Sequence, residues 1–452
     1  MLSVLRNRTY RRLFAAQVVA LAGTGLATVA LSLLAYDLAG ANASAVLGTA
    51  LAIKMAAYVG MGPVVGALAD RLPRRTLLVA MDLVRAAVAL SLPFVTQVWQ
   101  IYVLILLLQT ASAAFTPTFQ ATIPEVLPEE RDYTKALSLS RLAYDLESLL
   151  SPVLAAALLT VVPYDRLFTG TAAGFLASGL LVRATALPAP AARAGGLRAR
   201  AAFGTRLLLG TPRLRALLAL DVAVAAAGAT VLVNTVVLVR DTLGRTPGDV
   251  PLALGAYGAG SMTTALLLPR ALDRPGLPGP ARERALMLTA AFVLAGSLGL
   301  LALGLALAPG GWSWPGLLAL WLVLGAATSA ILTPGGRLLR RSARTADLPA
   351  AFAARFSLSH ACWLLTYPLA GWLAARTGLP ASAAVLTGIA LLGALTAAHL
   401  WPRTDPPALE HAHPELPADH PHLAETAGGR HAHDFHIDAL HHHWPRRGTV
   451  RT

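Results

Sequence analysis

Residues 66–75 read Gly66-Ala67-Leu68-Ala69-Asp70-Arg71-Leu72-Pro73-Arg74-Arg75. One acid and three arginines are crowded between two long apolar runs, 44–69 and 76–95, so they mark a tight charged turn at the edge of something apolar. Composition says what that something is. Of 452 residues, 56% are hydrophobic and 13% charged, and the mean hydropathy is +0.60. A soluble domain carries roughly 25% charged and about 45–50% apolar residues. Such an excess excludes a water-soluble enzyme and a disordered chain, and leaves lipid as the solvent.

Ten further apolar runs flank these two: 12–37, 98–122, 134–161, 164–186, 214–239, 251–271, 284–308, 314–334, 349–376 and 380–401. A helix needs about 20 residues to span a bilayer, so the reading is an all-α membrane protein with twelve transmembrane helices. Arg6, Arg8, Arg11 and Arg12 precede a first run of spanning length without a small-residue cleavage site, which reads as a span and not a secretory leader. Most of the 37 lysines and arginines fall on the N-terminus and on alternate loops, whereas the other loops hold four: Arg166, Arg240, Arg245 and Arg376. The positive-inside rule then places both termini in the cytoplasm of a cell inner membrane protein. This topogenic arginine accounts for most of the net charge of +14, so no nucleic-acid partner is needed. With one cysteine, no intrachain disulfide can form.

The chain divides into similar halves. Thr116-Pro117, a charged turn (Glu129 to Asp132) and Pro152 recur as Thr333-Pro334, a charged turn (Arg340 to Asp347) and Pro368, at offsets of 217 and 216 residues. The expected organisation is a six-helix bundle over 1–187, a Pro- and Arg-rich linker over 188–213, a second bundle over 214–401, and a disordered His-rich tail over 402–452. Parallel repeats of this kind place a binding site between the halves near mid-membrane.

The 66–75 turn resembles the loop signature of the major facilitator superfamily, G-x-x-x-D-R-x-G-R-R, with Pro73 where the glycine usually stands. The resemblance implies two pseudo-symmetric six-helix bundles. It makes Gly66, Asp70, Arg71, Arg74 and Arg75 a conformational gate, in which helix-end charges lock one state and release another. Topogenic charge alone is the other reading of the same residues. The N-terminal Leu5-Arg6-Asn7-Arg8-Thr9-Tyr10-Arg11-Arg12-Leu13-Phe14 and Ile123-Pro124-Glu125 are similar to the drug:proton-antiporter branch. The run Tyr133 to Glu147 and the His-rich tail resemble bacterial nickel-resistance exporters, which implies efflux of Ni²⁺ or related divalent ions.

Ionisable groups within spans are costly and face cavities or partners. In the fifth span, Ser140, Tyr144, Glu147 and Ser151 lie beside Arg141, Asp145, Ser148 and Pro152 as one polar face about 100° wide. Asp145 can pair with Arg141 four residues earlier. Glu147 has no such neighbour, and Lys54 in the second span, at similar depth, is a candidate partner. Two roles remain open for Asp145, Glu147 and Lys54: a buried ion-pair network that fixes packing, or cation and proton exchange with Lys54 as the displaceable counter-charge. Asp82 and Arg85, three apart, read as a structural pair. Asp221 is a candidate cation ligand in the second half, or the partner of an arginine on an adjacent helix. His360 is a candidate metal ligand, or a hydrogen-bonded packing residue.

The tail holds ten of twelve histidines: His411, His413, His420, His422, His431, His433, His436, His441, His442 and His443. Neutral imidazoles suit borderline transition metals and not Mg²⁺ or Ca²⁺, which want oxygen. These observations together predict secondary active efflux of a divalent transition metal, Ni²⁺ first, by proton antiport with alternating access. The expected partners are the metal, protons and the bilayer, with no resident cofactor and a monomeric chain. An exporter of organic molecules and a metal-responsive membrane sensor are the competing functions.

Overall fold

A computed structural model describes residues 2–69, 73–127, 129–187, 197–272, 279–307, 313–344, 347–403, 408–412, 430–438, 440–441 and 443–445. Its helices are α1 (Arg8–Ala39), α2 (Ala43–Ala69), α3 (Arg74–Ser91), α4 (Val98–Val126), α5 (Glu130–Leu158), α6 (Asp165–Arg183), α7 (Leu197–Gly210), α8 (Pro212–Val237), α9 (Asp249–Leu272), α10 (Gly279–Leu307), α11 (Trp314–Ser342), α12 (Leu348–Thr377) and α13 (Leu379–Leu400). All but α7 have between 18 and 32 residues, which gives the twelve long helices expected. Among the described residues, eight helical stretches are long and apolar enough to cross a membrane on length and composition alone.

Helix ends follow local chemistry. Asn7 caps α1 by accepting the Tyr10 N–H at 3.0 Å, and Ser313 caps α11 by accepting from Gly316 at 3.2 Å. At Gly378, with φ of +87°, one residue reverses the chain between α12 and α13, a conformation that glycine adopts without a Cβ clash.

The two halves repeat one another in packing. In the first, α1 packs on α6 and α5, α2 on α4, and α3 on α4 and α6; in the second, α8 packs on α13 and α12, α9 on α11, and α10 on α11 and α13. The halves meet through α2 against α12 and α5 against α9, which exchange under the same pseudo-two-fold. The axis runs along the bundle, as the sequence repeat requires. Helix direction then defines two faces. Both ends of the chain, α7, and the arginine-bearing helix ends lie on one, called here the arginine-rich face; the α1–α2, α5–α6, α11-start and α12–α13 ends lie on the opposite face.

Two parts of the expected organisation change. The stretch 188–213 is not linker throughout, because Leu197–Gly210 is helical and buries Leu207 and Leu208 against α8 and α12. Its arginines suggested a connector, but Phe203, Leu207 and Leu208 recur at helical spacing and give it an inward stripe. The tail is not wholly without structure either. Strands β1 (Ala408–Ala412) and β2 (Arg430–Asp434) form an antiparallel ribbon, in register Leu409↔His433 and His411↔His431. A two-stranded ribbon is marginal by itself. This one is supported by Phe435 and Ile437, which are buried in the same apolar core as Leu207, Leu208 and Leu214.

Candidate transport pathway and metal-binding segment

The interior of the first half carries the charges the sequence singled out. Lys54 stands 11 residues into α2 from Ala43, and Glu147 stands 11 residues before the α5 end at Leu158. At 1.5 Å per residue both lie about 16 Å from the opposite face, near mid-bilayer. Their charges act on each other across the bundle, although no ion pair joins them among the described residues. Glu147 also comes near α1: a Cβ on Gly25 would fall on the Ser151 side chain and 3.1 Å from Glu147 Oε1, so glycine there makes room for Ser151 first and for the carboxylate second. Ser140 donates to Gln17 Oε1 at 3.0 Å, which ties the same face of α5 to α1. The side chains of Arg141 and Asp145 lie outside the described residues.

Asp82 and Arg85 form a buried ion pair on α3. Ser178 of α6 donates to the second Asp82 oxygen at 2.8 Å, and the Arg85 guanidinium lies between the rings of Phe115 (4.1 Å) and Phe175 (4.5 Å). A buried cation needs such partners, since the rings and the carboxylate replace its hydration.

In the second half, Asp221 is 2% exposed and pairs with Arg355 of α12, whose Nη2 donates to Oδ1 at 3.5 Å. Its other oxygen, Oδ2, is buried without a hydrogen-bond partner among the described residues. Arg355 was not foreseen as an interior group; the sequence left it among the topogenic arginines. It lies over Gly335 of α11, where a Cβ would meet its Nη1 at 2.4 Å. His360 donates through Nδ1–H to Phe356 O at 2.7 Å, and its ring sits 5.7 Å from Tyr58 of α2 and 3.9 Å from Phe356. These are packing contacts. No cluster of three ligating side chains includes it among the described residues.

Contacts between the halves gather toward the opposite face. Tyr36 of α1 donates to Asp241, with the Arg240 guanidinium 5.0 Å over the Tyr36 ring. Trp372 of α12 donates to Thr49 of α2 at 2.9 Å, and Ser44 to Val233 O at 3.5 Å. Gly48 and Gly371 let the α2 and α12 backbones touch: a Cβ on Gly371 would stand 2.1 Å from Ser44 O. Tyr58 with Phe356 and His360 is the deepest such contact.

Of the 66–75 turn, Gly66 falls within α2, and Arg74 and Arg75 open α3, the first buried and the second exposed. Asp70 and Arg71 lie outside the described residues.

Three tail histidines converge. His411, His433 and His441 each bring one ring nitrogen within 4.8 Å of the others, and the Nε2 atoms of His411 and His441 are 3.0 Å apart. In all three rings Nδ1 faces an oxygen: Leu409 O at 2.9 Å, Asp434 O at 2.8 Å, and Asp438 Oδ1 at 2.9 Å. Asp438 also pairs with Arg344, between α11 and α12. Burial alone would push the Asp438 carboxyl up, but the N–H groups of His441 and Leu440 and the His441 ring hold it below the ordinary carboxylate range. Trp444 stacks under Arg213 at 5.4 Å, and Arg213 in turn donates to Ser342 and to Arg341 O. His436 and His443 stand outside the trio, and the imidazoles of His413, His420, His422, His431 and His442 lie outside the described residues.

This fold and interior define a membrane transporter and not an enzyme. The chain belongs to the Major Facilitator Superfamily, which it matches over residues 13–312 and 222–425. It is 29% identical over 122 residues to the uncharacterized MFS-type transporter YfiS of Bacillus subtilis (strain 168), covering 27% of this chain and 29% of that one. It is 26% identical over 152 residues to Macrolide efflux protein A of Streptococcus pyogenes, covering 31% and 37%. The matches thus span only about a third of these curated relatives. Among solved structures, the nucleoside transporter NupG superposes with a TM-score of 0.69 at 14% identity, covering 87% of this chain and 100% of that one. A D-xylose–proton symporter gives 0.65 at 16% identity, with 87% and 97% covered. These likenesses show the fold.

Proposed function

We propose that the chain exports divalent transition-metal ions, Ni²⁺ first among them, by proton antiport with alternating access, and that its arginine-rich face is cytoplasmic in the inner membrane. The observation that carries the reading is positional. The histidine-rich segment lies on the arginine-rich face, docked beside α7, α8 and the α11–α12 connection, where an outgoing ion would be collected. Glu147 at mid-membrane takes the role of the acid that exchanges a cation for a proton, with Lys54 as the internal counter-charge and Asp145 on the same helix. Asp221, held by Arg355, serves the second half, and Gly66, Asp70, Arg71, Arg74 and Arg75 form the gate. Moving one charge through 100 mV costs about 2.3 kcal/mol. Two entering protons cancel the divalent ion's charge, and a third would add the potential as drive. Imidazole chemistry does not separate Ni²⁺ from Co²⁺ or Zn²⁺.

The likeness to a macrolide efflux protein favours a second reading, an exporter of organic molecules in which the acids only couple protons. Proteoliposomes with an imposed pH gradient distinguish the two. Proton release driven by Ni²⁺, Co²⁺ or Zn²⁺ and not by a macrolide is the expected result. Macrolide-driven flux with no response to any of the metals would overturn it.

A further inference from the structure

We infer that His411, His433 and His441 form a defined site for one borderline divalent transition-metal ion, fastened to the second half of the transporter through Asp438. The site is more than a histidine-rich composition, because these three rings are placed by folded backbone. Period-two alternation puts Leu409, His411 and His433 on one face of the β1–β2 ribbon. The bend after Ile437 then returns His441 to that face, 30 residues beyond His411. Phe435 packs edge-on against His411 (4.9 Å) and His441 (4.7 Å) and holds the rings at their angle.

The hydrogen bonds set the tautomers. With Nδ1 facing oxygen in each ring, that nitrogen carries the proton and the lone pair sits on Nε2. Two such lone pairs 3.0 Å apart in His411 and His441 repel unless a cation stands between them. Metal–nitrogen bonds of about 2.0–2.1 Å at a tetrahedral angle put ligand nitrogens about 3.3 Å apart, close to the 3.0 Å between His411 and His441, while the His433 ring, within 4.8 Å of both, moves in to join them. Nitrogen donors select Zn²⁺, Co²⁺, Ni²⁺ or Cu²⁺ over Mg²⁺ and Ca²⁺. The three imidazoles supply three of the four ligands that such an ion commonly takes.

Asp438 supplies the outer support that metal-ligating histidines commonly have, a carboxylate on the remote ring nitrogen. The same carboxylate holds Arg344 between α11 and α12, and Ile437 packs 3.3 Å from where a Cβ on Gly210 would stand. Loading the site therefore stiffens the attachment of the tail to α7, α8 and the α11–α12 connection. That the bound ion is the exported one rests on the proposed function; the site itself does not.

The test uses the purified full-length chain with Co²⁺ as probe. One Co²⁺ per chain with the intense visible bands of tetrahedral nitrogen coordination is expected, displaced by Zn²⁺. Zn²⁺ should also slow hydrogen exchange over 430–438. The combined variant His411→Ala, His433→Ala, His441→Ala should lose both signals. Asp438→Asn should keep the bands and weaken affinity about 10–100-fold, and His399→Gln, outside the tail, should change neither. Tetrahedral bands that survive the triple variant would overturn the site, as would a wild type showing only weak octahedral bands, the signature of loose tail binding. No Co²⁺ bands and no Zn²⁺ protection would leave a proton between the two rings and sink the metal reading of this cluster. Binding without transport in proteoliposomes would instead overturn export and leave the site standing.

Discussion

Lys54 and Glu147 are where packing and coupling roles make different predictions. Both are half-buried and influence each other without an ion pair among the described residues, so removing one leaves the other less compensated, whereas replacing both with similar neutral groups is often neutral. Glu147→Gln alone and Lys54→Met alone should each lower the melting temperature in detergent, and the double variant should recover most of it. Metal-driven proton flux should stay lost in the double variant if Glu147 carries the exchanged proton; flux that returns together with stability would make the pair purely structural. Asp82 and Arg85 behave differently, because two phenylalanine rings and Ser178 enclose them. Arg85→Lys keeps the charge but loses the planar group between the rings, so a lower melting temperature with unchanged substrate affinity in the remaining folded protein is expected. Glu147, Lys54, Asp82 and Arg85 were legible in the sequence, because a charge inside an apolar run has few bland explanations. Arg355 was not, since an arginine near a helix end looks like any topogenic one, and its partnership with Asp221 depends on how α8 meets α12.

At the level of helices, the repeat read from Thr116-Pro117 and Thr333-Pro334 holds in space: α4 and α11 each have 29 residues and start 216 positions apart. Such a repeat is visible because prolines and charged turns punctuate the chain at fixed offsets. Helix α7 was hidden by its arginines, and the way α2 meets α12 was hidden because small residues are common in any apolar run. That contact now makes a prediction about alternation. A Cβ at position 371 would stand 2.1 Å from Ser44 O, on backbone that cannot turn aside. Gly371→Ala should therefore wedge α2 from α12 at the opposite face and shift the population toward opening there. In a Cys362→Ser background, Thr49→Cys beside Trp372 reports the change. Its labelling by a membrane-impermeant maleimide added from the opposite face should accelerate several-fold with Gly371→Ala. Equal rates with and without the wedge would mean that this contact does not seal the interior.

Across the whole molecule, the segment least legible in the sequence is the one after Trp401. Its composition, poor in apolar runs and rich in histidine and proline, argues for disorder. Phe435, Ile437 and Trp444 look isolated there, yet they find their core on another part of the chain, around Leu207, Leu208 and Leu214. The H-x-H spacings were the available signal, because two residues is the period of a strand face. The consequence bears on how the tail is tested. Cutting the chain after Trp401 removes two large apolar side chains that are nearly or fully buried, at about 1.5–3 kcal/mol each, and uncovers the surface of α7 and α8 beneath them. Truncation should thus lower the melting temperature of the metal-free protein by several degrees and reduce transport for reasons unrelated to metal. The triple histidine-to-alanine variant keeps Phe435, Ile437 and Trp444, and should melt close to wild type without metal. Wild type alone should then gain stability on adding Zn²⁺, by about 2.7 kcal/mol at 100 times the dissociation constant. If truncated, triple-variant and wild-type chains melt together without metal, the tail does not dock on the second half and its histidines act as a free collector.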